Sequence, residues 1–277
     1  MSTADTDVAP PNTAAPVRLR PYVPQIAHEL TDHLFQALAG QPGGDAARAW
    51  LEEATTVATA AGQAAAQPPA DGAVRPLLVH LAGAARHLRR VPAPPSPTLM
   101  RSLRRRGVHK PEAWALLDRA RVLLMLAAVS RWPMSAQEGV LRQIFLKGDS
   151  DERRAVLQSL VLMPEPSRFV ALAIEGCRSS VGAVFEAVAA DNAYAACWFP
   201  PPAFNQMVLK ALSTGLPTAR IVGLQDRLTP ALAQMVQAHV SERRAAGRAV
   251  SDDALALLER HQAAPRFTSH SSGDIAP

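Results

Sequence analysis

The residues best suited to chemistry interrupt one hydrophobic stretch. Asp191, Asn192, Tyr194, Asn205, Gln206, Lys210 and Arg220 lie among apolar residues, and Pro200, Pro201 and Pro202 break the run in its middle. Trp198, Phe199 and Phe204 stand beside the break. Aromatic side chains with a few convergent polar groups at a helix break are how small-molecule pockets are commonly built. Read that way, Asn192, Tyr194, Trp198, Phe199, Phe204, Asn205, Lys210 and Arg220 bind a ligand, with Lys210 or Tyr194 available for acid–base work. The competing reading is architectural: Asp191 or Asn192 caps a helix, and Asn205 satisfies loop carbonyls. Spacing alone leaves both open.

Other chemistries find little support. Clustered carboxylates would hold magnesium on phosphates. The adjacent acids are Glu52–Glu53, Asp151–Glu152 and Asp252–Asp253, and none has a third carboxylate one turn on. They read as helix-start charges. His80 and His87 are seven apart and could share a helix face, whereas His28 and His33, five apart, align poorly. Neither pair comes with the further ligands a metal needs, so no metal site is expected. There is no phosphate-cradling glycine loop and no G-x-S-x-G elbow. Cys177 and Cys197, the only cysteines, read as reduced small hydrophobes. No catalytic residue is assigned and no cofactor is expected.

The elements that must position these residues are helices. Of 277 residues, 48% are hydrophobic, 19% charged and only 5% aromatic, which favours a core of Leu, Val and Ala between packed helices. Helical periodicity is strongest in the C-terminal half. Ser135 and Glu138 read as a capping box, and Gly148 as a left-handed cap after Lys147. Asp149 opens a segment that buries Val156, Leu157, Leu160 and Val161 and ends at Pro164. Helices over 166–178, 181–190 and 202–213 follow. Thr229 with Pro230 opens another, and Ser251 with Asp252 and Asp253 the last.

Upstream, helices are expected near 22–39, 45–66, 74–90 and 112–131, with a proline-rich break over 91–97. The fold class is all-α: an irregular helical array or short HEAT-like α-solenoid of antiparallel pairs. The expected organisation is a disordered leader over 1–20, one helical domain over 21–262 and a disordered tail over 263–277. No stretch is long and apolar enough to span a bilayer, and the N-terminus lacks the pattern of a secretory signal. The chain is expected in the cytoplasm.

Charge is unevenly spread. From Gly72 through Pro111 there is no Asp or Glu, but there are eight arginines, from Arg75 to Arg106, plus Lys110; this block carries +9 of a net +5, so the remainder sums to −4. A solvated face explains this, and so does an anionic partner. Over 76–90, Leu77, Leu81, Ala85 and Leu88 fall on one face with Arg86, Arg89 and Arg90 elsewhere, the pattern of a helix lying on an anionic membrane. The block contains no Phe, Tyr or Trp to stack on bases, which argues against a nucleic-acid partner.

A family resemblance emerges further on. The stretch EGCRSSVGAVFEAVAADNAYAACWFPPPAFNQMVLKALSTGLPTARIVGL from Glu175 to Gly223, then SERRAAGR from Ser241 to Arg248, resembles the EboA family. These helical proteins are encoded in a bacterial operon that accompanies secondary-metabolite clusters. Asn192 with Tyr194, the Phe199–Pro200 step and the block Ala203 to Leu212 carry the likeness, with 135–262 as its core. Trp198 stands where the family more often has Tyr, and 62–97 is unusually rich in Ala, Pro and Arg. The resemblance implies an accessory role around prenylated or otherwise lipophilic metabolites and their passage to the periplasm, with the metabolite or pathway enzymes as partners. It supplies no catalytic residues. An enzyme of the same pathway, acting near Asn192–Lys210, is the alternative.

Overall fold

The computed structural model describes residues 23–63, 74–88 and 96–263. The leader over 1–20, the tail beyond Ala263, and residues 64–73 and 89–95 of the segment 62–97 lie outside the described residues. Among the described residues the backbone forms thirteen α-helices, a few 3₁₀ turns and no strand. No helix among them is long and apolar enough to cross a membrane.

Three helices form an N-terminal layer: α1 (Val23–Leu38), α2 (Gly44–Gln63) and α3 (Arg75–His87). Their inner faces are leucine and alanine at helical spacing: Ile26, Leu30, Leu34 and Leu38; Ala47, Leu51, Ala54 and Ala58; Leu77, Leu81 and Ala84. The stripe on α3 therefore points inward against α2 and α5, and Ala84 is the buried alanine while Ala85 is exposed. Its leucines are used up in the core, which corrects the expectation of an apolar face free to enter a bilayer. His80 and His87 do share a face, but both stack on Trp50, at 6.4 and 4.8 Å between ring centres.

The proline-rich break gives way to an unanticipated helix, α4 (Pro97–Arg105). Ser96 caps it by accepting from the Leu99 N–H at 3.3 Å, Pro97 fills the first turn, and Leu99 and Leu103 are fully buried. The next helix starts later than 112. Pro111–Ala113 forms a 3₁₀ turn, and α5 (Leu116–Val129) begins where Asp118 reaches back to the Ala115 N–H at 3.1 Å.

Helix α5 is the hub. Every residue in it except Ala127 is buried, and it packs against α1, α2, α3, α6 and α7. In a solenoid each pair would meet only its sequence neighbours; here the N-terminal half gathers around one central helix, an irregular array.

The C-terminal half comprises α6 (Met134–Lys147), α7 (Ser150–Ser159), α8 (Val170–Cys177), α9 (Gly182–Ala189), α10 (Tyr194–Trp198), α11 (Pro201–Thr214), α12 (Pro230–Ala245) and α13 (Asp252–Ala263). The Ser135–Glu138 box does not form, because the N-cap falls two residues earlier, at Pro133, and Ser135 lies inside α6. Gly148 is extended (φ −75, ψ 159) and not left-handed; a Cβ there would meet the Ile144 carbonyl and the Glu152 side chain at 2.8 Å. Its lack of a side chain serves close packing. Asp149 caps α7 from both sides, accepting from the Asp151 and Glu152 N–H groups while Glu152 accepts from the Asp149 N–H. Thr229 and Ser251 cap α12 and α13 as expected. Of the adjacent acids, Glu52 and Glu53 lie in the middle of α2, where Glu52 pairs with Arg48, and do not mark a helix start. One continuous core of buried side chains runs from Ile26 to Leu257.

Candidate functional site

The turn after α9 is where distant segments meet. Asp191 adopts φ 54, a left-handed conformation that Asp tolerates better than most residues. It is held there by backbone bonds: its N–H donates to the Arg220 carbonyl at 2.8 Å, and its carbonyl accepts from the His109 N–H at 2.8 Å. The Ala193 N–H donates to Gly107 O at 2.9 Å, completing the bridge between Val108 and Asn192. Gly107, at φ 90, is needed: a Cβ would meet that of Ala193 at 2.7 Å. Asn192 is buried; its amide donates to the Ala187 carbonyl at 3.0 Å and its oxygen accepts from the Tyr194 N–H at 2.9 Å. It thus closes α9 and opens α10.

The other residues expected to converge are dispersed. Tyr194 is fully buried, donates to Pro166 O at 2.5 Å, and has its pKa pushed well above the ordinary tyrosine value by that burial. Trp198 and Phe199 pack on it with ring centres 4.9 and 6.3 Å away. Phe204 and Asn205 are buried, Phe204 beneath the Arg227 guanidinium at 4.5 Å. Arg227, which the sequence reading passed over, pins the proline break by donating to Ala196 O at 2.7 Å and Phe199 O at 2.8 Å. Lys210 donates to Cys177 O and Ser179 O, both at 2.6 Å, and lies 4.7 Å from the Phe185 ring centre. Its ammonium caps the carbonyl end of α8, the favourable end of the helix dipole for a cation. Burial pushes the neighbouring Cys177 thiol up to about 12.

An open cleft of about 250 Å³ lies beside the Asp191 turn, between α5, α7 and α9. Of the eight expected residues it is bordered by Asn192 and Arg220 only; Lys210 borders a smaller hollow of about 160 Å³, and Arg220 stands between the two. Tyr194, Trp198, Phe199, Phe204 and Asn205 line neither. The residues that make the cleft come from elsewhere: Lys110, Trp114, Asp118, Arg154, Gln158 and Glu186.

Its charges are mutually satisfied. Lys110 Nζ is 3.2 Å from Asp191 Oδ1, Arg154 pairs with Asp118, and Arg220 reaches Asp191 Oδ2 at 2.8 Å and Glu186 Oε2 at 2.9 Å. Burial acts to lower the Arg220 pKa, but its hydrogen bonds to the two carboxylates leave it raised overall. Among the described residues there is no group of three or more His, Cys, Asp and Glu side chains that could hold a metal ion.

The geometry defines an all-helical protein, among the described residues, with a small polar cleft framed by ion pairs. Residues 96–259 match the family model described as metabolite traffic protein EboA. The chain belongs to the EboA family. Neither the curated proteins nor the solved structures include a match to it.

Proposed function

We propose that this chain is a non-catalytic accessory protein for a lipophilic secondary metabolite, prenylated or otherwise, and that it binds the metabolite, its pathway enzymes, or both. One observation carries the reading. Asn192, Tyr194 and Lys210, the polar residues that stood out in the 191–210 stretch, are tied to backbone groups, while the cleft beside them stays open to solvent. The family description, metabolite traffic, points the same way. A catalytic reading would draw its proton carrier from Lys210 or Tyr194, and both are tied to backbone carbonyls.

The test is genetic and chemical together. Metabolite output should fall in a strain lacking the chain and return with the wild type. It should not return with Ala183→Leu, which places a larger side chain at the exposed edge of the cleft without touching the core. Full rescue by that variant would sink the cleft as the working surface.

A further inference from the structure

The six ionisable side chains around the cleft are three cations, Lys110, Arg154 and Arg220, and three anions, Asp118, Glu186 and Asp191. Each is paired with another member of the set. The ring therefore carries no net charge, and Arg154 also reaches outside it, to Asp151 at 3.7 Å. An ionised ligand group entering it would lose hydration without finding a free counter-charge, and would crowd a like charge wherever it settled.

The remaining surface is apolar and small. Ala183 and Ala187, at i and i+4, present methyl groups along one side of α9; Ala190 lies just past its end, and Val108 and Trp114 complete the wall. At about 250 Å³ the cleft lies just under the usual range for a drug-sized ligand, enough for one ring and short of a long chain. Two side chains on α7 add a polar edge. Arg154 Nε, a donor, and Gln158 Oε1, an acceptor, are buried and without a hydrogen-bond partner among the described residues. A hydroxyl or carboxamide, which donates and accepts at once, complements such a pair.

We infer that the cleft takes an uncharged ring bearing a hydroxyl or carboxamide edge, and discriminates against carboxylate, phosphate and ammonium analogues of the same shape. This rests on the reading of the cleft as the metabolite site. It assigns that site to the neutral polar end of the ligand, leaving any lipophilic chain outside the ring of charges.

Matched fragment probes test it on the full chain. Ligand-observed NMR titrations with benzamide and phenol are compared with benzoate, phenyl phosphate and benzylamine, on the wild type and on Ala183→Leu. The neutral probes should bind at least about tenfold more tightly than the charged ones, a difference of about 1.4 kcal/mol, and should lose that binding in Ala183→Leu. Lys110→Met leaves the ring one positive charge short, so benzylamine should gain several-fold there and benzoate should not. Benzoate or phenyl phosphate binding as well as benzamide, with both lost in Ala183→Leu, overturns the neutral-ring assignment but keeps the cleft. Probe binding unaffected by Ala183→Leu, or no binding by any probe, overturns the cleft itself and, with it, the metabolite-binding part of the proposed function.

Discussion

Asp118 and Arg119 are neighbours on α5, yet they serve opposite sides of the molecule under different physics. Asp118 turns to the cleft, where it pairs with Arg154 and also caps its own helix. Arg119 turns to the N-terminal layer, fully buried, and its guanidinium donates to His33 Nε2 at 2.7 Å and toward Pro111 O at 3.4 Å. A guanidinium can only donate, so His33 must present an unprotonated Nε2 and carry its proton on Nδ1. Burial lowers the His33 pKa, and the positive Arg119 lowers it further. Burial likewise lowers the Arg119 pKa to about 10, against the opposing pull of Asp118. The cleft side matches charge with opposite charge near solvent. The N-terminal side buries a cation against a neutral ring, and that arrangement tolerates far less disturbance.

The largest effect should therefore come from His33→Leu, which removes the imidazole acceptor from a buried guanidinium. Unfolding in urea should report a loss of about 3 kcal/mol. Replacing both partners, His33→Leu with Arg119→Met, should recover most of it, because an apolar pair needs no hydrogen bonds. A cost below about 1 kcal/mol for His33→Leu would refute the contrast. The same pair sets a pH dependence. With its folded pKa below the unfolded value of about 6.5, His33 makes the unfolded state the better proton binder in that window. Its contribution is fully present above about pH 6.5 and is lost as pH falls through that value toward the lower folded pKa. Melting temperature should drop over that interval in the wild type, and the slope should flatten in the double variant.

Lys210→Met comes next. It removes two charge-assisted bonds that cap α8 and the contact over Phe185, so stability should fall by about 2–3 kcal/mol. Asn192→Ala should cost about 1–3 kcal/mol by leaving the Ala187 carbonyl and the Tyr194 N–H without their partner. Thermal unfolding of both variants checks this. If either keeps its melting temperature yet loses metabolite output in cells, the residue belongs to a binding site and the architectural assignment fails.

How much of this could be read from residues in order follows from the range of the forces involved. Caps are local, so Asp149, Thr229 and Ser251 were legible within three or four positions. Helix α4 carried the same local signature, Ser96 before Pro97 and leucines at 99 and 103, but the prolines on its N-terminal side masked it. Gly148 has the residue type of a left-handed cap, and only the approach of Glu152 and the Ile144 carbonyl shows why it is glycine. The cleft was not legible at all. Its pairs join Asp118 to Arg154, Lys110 to Asp191 and Glu186 to Arg220, across gaps that no helical period spans. Asn192 and Lys210 stood out as polar residues in apolar surroundings, and that signal is the same whether a side chain faces a ligand or a backbone carbonyl.

The smallest expected effect concerns arginines that belong to neither side of α5. On α4, Arg101, Arg104 and Arg105 are exposed around Pro97 and Met100 in a shallow groove, and Arg104 makes a half-exposed pair with Glu112 at 3.4 Å. Since the α3 leucines are packed inside, any hold on an anionic bilayer would be electrostatic without insertion, worth about 1 kcal/mol per basic residue near the surface. Such attachment is weak and screened at a Debye length of about 8 Å in physiological salt. Cosedimentation with phosphatidylserine-containing vesicles should then be detectable only at low ionic strength and vanish by about 0.3 M salt, with Arg101→Gln plus Arg105→Gln reducing it several-fold. Binding that survives high salt would mean that apolar insertion operates after all. Binding absent even at low salt would leave these arginines as a solvated face and confine the function to the cleft.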